Sequence, residues 1–147
     1  MRAERVLPGG DRASVPGDNA EIVRRGYDAW NRGDVAAVLE LVDPHFEWHE
    51  SSEVPGGAHV YTREQFGSYL ASLSRLWESF RFEPQEVLAA GDEVLVDVLE
   101  VARGRASGVE VTQRFVHVWT VRDGRACRMR AYRDKAEALR AVGLEPD

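Results

Sequence analysis

The sequence predicts an α+β domain in which helices cover one face of a curved antiparallel sheet. Three observations carry this expectation. Amphipathic helical stripes dominate the first half of the chain, whereas period-two alternation dominates the second. The strand-like segments follow one another through short connections such as Gly91-Asp92 and Asp123-Gly124, as in an antiparallel meander. Sequential antiparallel strands twist into a curved sheet, and helices that bury their stripes on its concave side tend to leave a cavity between the layers.

Each element has its own justification. Met1 to Asp18 carries Pro8-Gly9-Gly10 and Pro16-Gly17 without periodicity and reads as a disordered tail, with residues 19–147 forming one domain. Asn19 is placed to cap a first helix whose stripe is Ile22, Val23, Gly26, Tyr27 and Trp30, ending at Asn31-Arg32-Gly33. Asp34 caps a shorter helix with Val35, Val38, Leu39 and Val42 inward, stopped by Asp43-Pro44. A short strand, Phe46–Glu50, precedes a loop from Ser51 to Tyr61 that contains Pro55-Gly56-Gly57. Thr62 and Gln65 form a capping box for a third helix bearing Phe66, Tyr69, Leu70, Leu73 and Trp77. Strands follow at Arg81–Ala90, Glu93–Arg103, Glu110–Val121 and Arg125–Tyr132. A final helix, Asp134–Val142, ends at Gly143.

Composition narrows the function. With 44% hydrophobic and 30% charged residues and no apolar run near the roughly 20 residues that span a bilayer, no membrane association is expected. The net charge of −6 argues against nucleic acid as a partner, because phosphate-binding surfaces are basic. Cys127 is the one cysteine, so no internal disulfide can form. The N-terminal stretch lacks the apolar core of a secretory signal, and a cytoplasmic location is expected.

The chemistry concentrates on the last hairpin. Alternation puts Phe115, His117 and Trp119 on one face of its first strand and Arg114, Val116, Val118 and Thr120 on the other. On the second strand, Arg128, Arg130 and Tyr132 look away from Met129 and Ala131. Asp97 and Glu100 interrupt an apolar strand on opposite faces, so one of them can point inward. His45 and His49 share a strand face but stand roughly 13 Å apart at about 3.3 Å per residue, too far for one metal ion.

Four segments taken together resemble the SnoaL-like branch of the NTF2-like superfamily: Tyr27-Asp-Ala-Trp-Asn-Arg-Gly-Asp34, Asp43-Pro-His-Phe-Glu-Trp-His49, Phe115-Val-His-Val-Trp-Thr-Val-Arg-Asp-Gly124 and Ala131-Tyr-Arg-Asp134. The resemblance spans about Asn19 to Gly143. It implies a small cone of strongly curved, mixed or antiparallel sheet around three to four helices, enclosing an internal cavity. In ketosteroid isomerases of that superfamily, the strand before the hairpin turn carries the acidic donor of the oxyanion hole, and His117 falls at that place. Their catalytic carboxylate sits on the strand after the second helix, where His49 falls, and their oxyanion tyrosine lies about one residue from Tyr27. Limonene epoxide hydrolases carry an Arg-x-Asp pair and a further Asp on this hairpin; Phe115, His117 and Ala131 stand there instead, which argues against that chemistry.

The resulting expectation is an enzyme without cofactor or metal that cyclises, isomerises or dehydrates an apolar carbonyl compound of polyketide or steroid type. His49, His117 and Tyr27 are the candidate catalytic residues, and neutral imidazole suits proton transfer near neutral pH. Trp30, Trp48, Tyr61, Phe66, Tyr69, Phe115, Trp119, Met129 and Ala131 are the candidate pocket lining. The alternative is a non-catalytic protein that binds a small hydrophobic molecule or assists a partner enzyme. The convex sheet face is expected to make a homodimer. Convergence of His49 with His117 separates the two functions.

Overall fold

The structure, a computed structural model, describes residues 4–6, 18–51 and 59–144. Its elements in chain order are β1 (Glu4–Val6), α1 (Asp18–Asn31), α2 (Val35–Glu40), β2 (Val42–His49), β3 (Val60–Thr62), α3 (Arg63–Leu76), β4 (Trp77–Ala90), β5 (Glu93–Gly104), β6 (Glu110–Arg122), β7 (Arg125–Tyr132) and α4 (Lys135–Ala141). The strands form one sheet in the order β1-β4-β5-β6-β7-β2-β3. It is mixed: β2 runs parallel to β7, while every other neighbouring pair is antiparallel.

Local chemistry fixes the helix starts. The Asp34 carboxylate accepts the Ala37 N–H at 3.0 Å, and Thr62 and Gln65 complete the reciprocal capping box at 3.2 and 3.0 Å. Asp134 caps α4 through Ala136 N–H at 2.9 Å. Helix α1 begins at Asp18, so Asn19 lies within its first turn rather than ahead of it. The β6–β7 hairpin turns at Asp123 (φ 52°) and Gly124 (φ 77°), the pair of positive φ values that a two-residue primed turn needs.

Alternation along β6 divides two buried layers. Phe115 and Trp119 join α1, α3 and the inward residues of β2, β4, β5 and β7 in the main core. Val116 and Val118 face the other way and pack with Leu88 and Leu95 under Ala138, Leu139 and Val142 at α4. The convex face is therefore partly covered by the chain itself. What remains beside α4 is a polar strip on β2 and β7, with Glu47, His49, Arg128 and Arg130 in facing positions.

Three expectations are corrected. Glu4–Val6, read as part of a disordered tail, pairs with Val87–Ala89 as an edge strand; residues 7–17 lie outside the described residues. The connection after β2 closes with β3, whose Val60 to Thr62 pair with His49 to Glu47, and residues 52–58 lie outside the described residues. Trp77 is not on the helical stripe: its backbone is extended (φ −122°, ψ 138°) and it starts β4, ahead of the expected Arg81.

Candidate active site

The centre of the inner wall is a hydrogen-bonded chain of three side chains. His117, on β6, pairs in register with Val96 and Ala131 and is 1% exposed. Tyr27, carried by α1 across the layer, places its hydroxyl 2.8 Å from His117 Nδ1 and 2.9 Å from Trp119 Nε1. An indole nitrogen can only donate, so the Tyr27 oxygen accepts from Trp119 and its proton goes to His117. Nδ1 is then the acceptor, and the imidazole proton sits on Nε2, which has no hydrogen-bond partner among the described residues.

Burial reinforces this state. Desolvation lowers the His117 pKa to about 3, so the ring is neutral at physiological pH. The same desolvation raises the Tyr27 hydroxyl far above its ordinary range, outweighing the opposing Trp119 hydrogen bond. Aromatic rings enclose the imidazole: Phe82 at 5.1 Å and Trp48 at 5.5 Å meet it edge to face, and Phe115 lies at 6.1 Å. The result is a fixed neutral donor in an apolar box, rather than a titrating base.

A second polar group lies further along the same wall. Glu100 shares the inward face of β5 with Val94, Val96 and Val98, and its carboxylate accepts from Gln113 Nε2 at 3.2 Å. Burial raises its pKa to about 7, with the negative charge of Glu50 adding to the rise and Arg133 and Gln113 opposing it. Arg133 donates to Gln113 Oε1 at 2.8 Å and stands 4.8 Å over the Phe115 ring, so Gln113 relays between the cation and Glu100. Glu50 is held by Ser51 N–H at 3.1 Å and Trp48 Nε1 at 3.4 Å. Tyr69 is 43% exposed, yet burial of its hydroxyl end and the charges of Glu100 and Glu50 raise its pKa. Asp97, on the opposite face, meets Arg114 at 3.6 Å and Lys135 at 3.9 Å.

The other expected residues divide by face. Trp30, Trp48, Phe66, Phe115, Trp119, Met129 and Ala131 all belong to the main core, and Tyr61 packs at its edge. Tyr69 is a rim residue rather than buried lining. His49 does not join His117. Trp48 turns inward, so period-two geometry turns His49 outward, where its Nε2 lies 2.9 Å from Glu47 and its side chain is 34% exposed. It borders a small depression of about 220 Å³ with Ser51, Arg130, Tyr132 and Glu137. The sequence marks Glu100 without choosing its face and does not single out Gln113 and Arg133. The available signal was a single acidic side chain sharing the parity of three valines, and choosing the inward parity required the strand register. Among the described residues no group of three or more His, Cys, Asp or Glu side chains could hold a metal ion. No described helix is long and apolar enough to cross a membrane.

With this geometry in hand, known proteins supply a context. A family model for a SnoaL-like domain matches residues 23–129. Among solved structures, an NTF2-like protein of unknown function from Burkholderia pseudomallei is similar at 24% identity and TM-score 0.68, over 86% of this chain and 98% of the other. TerC, co-crystallised with polyporic acid, is similar at 26% identity and TM-score 0.67, over 85% and 97%. A protein from Jannaschia described as a SnoaL-like polyketide cyclase is similar at 23% identity and TM-score 0.68, over 94% and 100%. No curated protein matches the sequence at a significant level.

Proposed function

The chain belongs to the SnoaL-like domain family, and we propose that it enolises an apolar carbonyl compound of polyketide type by acid/base catalysis without a cofactor, leading to cyclisation, isomerisation or dehydration. The observation that carries this reading is the Tyr27 to His117 hydrogen bond of 2.8 Å, which directs the imidazole proton to Nε2 inside an aromatic box. That N–H is the donor for the substrate's carbonyl oxygen. With a pKa of about 3, His117 neither gives up nor gains a proton in the cycle; it stabilises the enolate oxygen by hydrogen bonding alone.

The base in this reading is Glu100, not His49. Its carboxyl, poised at about 7, is partly ionised at neutral pH and still basic enough to accept a carbon-bound proton. The carboxylate takes the proton next to the carbonyl, and the C–H electron pair forms the enolate. That carbanion equivalent then attacks a second carbonyl, whose oxygen takes the proton back from Glu100, expels a β-hydroxyl that leaves as water with that proton, or regains the proton from Glu100 at another carbon. Val96, in register with His117, and Glu100 are four residues apart on one face, a backbone span of roughly 13 Å at about 3.3 Å per residue. Val98 and Phe115, paired in register between them, form the wall along which a flat substrate would reach from one group to the other. TerC was co-crystallised with polyporic acid, which suits an aromatic oxygenated ligand of this kind.

The second reading is a non-catalytic binder of a small hydrophobic molecule. It is favoured by one observation: the two histidines that sequence alone paired lie on opposite faces of the sheet. Deuterium exchange next to the carbonyl of flat polycyclic ketones, followed by proton NMR in D₂O, separates the two without knowledge of the reaction subtype. Exchange faster than buffer that is abolished in Glu100→Gln and slowed about 100-fold in His117→Phe supports catalysis. Saturable binding with no accelerated exchange supports the binder.

A further inference from the structure

On the reading of Glu100 as the base, we propose that Gln113 and Arg133 are its positioning residues: Arg133 pins the Gln113 amide so that it donates to Glu100 Oε2, and Oε1 is left as the oxygen that takes the substrate's proton and returns it. The register brings the three groups together. Gln113 on β6 pairs with Glu100 on β5, one step along the wall from the pair Val98 and Phe115. Arg133 follows Tyr132, which pairs with Val116, so the end of β7 lies beside Phe115, and the guanidinium stands 4.8 Å over that ring. From there it donates to Gln113 Oε1 at 2.8 Å, and Gln113 Nε2 donates to Glu100 Oε2 at 3.2 Å.

Arg133 decides which end of the amide meets the carboxylate. The two ends of a primary amide are nearly equal in shape but opposite in role, one accepting and the other donating. A guanidinium has no acceptor, so it selects the turn that offers it oxygen and leaves the NH₂ group for Glu100. Among the described residues Gln113 is the only side chain that hydrogen-bonds Glu100, and Oε1 makes no hydrogen bond. Glu50 and Tyr69 also face Glu100, but through charge rather than through a hydrogen bond. A proton taken from carbon therefore lands on Oε1 while Oε2 stays on the amide. The orientation matters again on the return step. With the amide reversed, its carbonyl oxygen would accept the carboxyl proton and hold it away from the enolate. With Arg133 in place the amide offers no acceptor, and the proton remains available to the substrate.

Exchange of the α-protons of 1-tetralone, a flat bicyclic ketone, in D₂O between pH 5 and 9 tests this with the full chain. Gln113→Met keeps the side-chain length without donor or acceptor, and Arg133→Met keeps an apolar stem over Phe115 from an exposed position. Arg133 and Gln113 both hold the Glu100 pKa down, so each variant should move the midpoint of the profile above about 7. A pure charge effect ends there, because at the alkaline plateau Glu100 is ionised in every variant. Positioning predicts more: at the plateau kcat should fall about tenfold in Gln113→Met and about fivefold in Arg133→Met, with KM within about twofold of the wild type. The double variant should be no slower than Gln113→Met, since Arg133 acts through Gln113. A plateau that survives Arg133→Met, or losses that multiply in the double variant, would overturn the proposal while Glu100 remained the base. Wild-type exchange no faster than that of Glu100→Gln would overturn both.

Discussion

Replacing Glu50 by Gln tests the electrostatics of the proposed base with almost no change in shape. The amide oxygen can still accept from Ser51 N–H and Trp48 Nε1, but the negative charge is gone. Glu100 is raised to about 7 first by burial and second by Glu50, so the substitution should lower its pKa without returning it to 4.5. One neighbouring charge in a partly solvated setting is worth about 1 kcal/mol, roughly a fivefold change in proton affinity. Well below pH 7, where little of Glu100 is ionised, ketone exchange should rise up to about fivefold; above pH 8 it should change little. The same coupling appears in stability. A carboxyl that holds its proton more tightly when folded contributes stability that is present below about pH 4.5 and lost as pH rises through about 7. Discounted for solvent screening of this half-buried group, that loss is about 1 to 2 kcal/mol, and Glu50→Gln should reduce it. Carboxyl ¹³C NMR titration of Glu100 gives the pKa without a substrate. A value equal to or above that of the wild type would refute the coupling.

Two further outcomes are expected. Tyr27→Phe removes the hydroxyl that satisfies both His117 Nδ1 and Trp119 Nε1, leaving two buried polar atoms unpaired. Unfolding in urea should show a loss of about 2 to 4 kcal/mol, and a loss below about 0.5 kcal/mol would contradict the network. The protein is expected to form a homodimer through the strip of β2 and β7 that α4 leaves uncovered, so light scattering should give twice the 16.5 kDa chain mass, and Arg128→Glu should shift the population to monomer. A monomeric wild type at micromolar concentration would reject that interface.

Much of the architecture was legible in the sequence because it follows from local rules. Asp34, the Thr62/Gln65 box, Asp134 and the Asp123-Gly124 turn each specify their element through backbone chemistry within a few residues. The inward face of Phe115, His117 and Trp119 followed from alternation alone. The parallel pairing of β2 with β7 did not, since it joins residues distant in sequence and no local signal encodes it. The site was half legible for the same reason. The hairpin alternation and the resemblance single out His117 and Tyr27, whose side chains the structure joins at 2.8 Å, whereas choosing His49 conflicts with the inward assignment of Trp48, its immediate neighbour on a strand. The setting of Glu100, opposite Gln113 and with Glu50 and Arg133 brought in from other elements, is visible only once the register is known.

Whether His117 is a fixed neutral donor is read from ¹⁵N NMR of its imidazole between pH 5 and 8. One unchanging pattern is expected, with Nε2 protonated and Nδ1 bare throughout, because burial holds the pKa near 3 and Tyr27 occupies Nδ1. Titration of the ring near 6.5, or a proton on Nδ1, would contradict it.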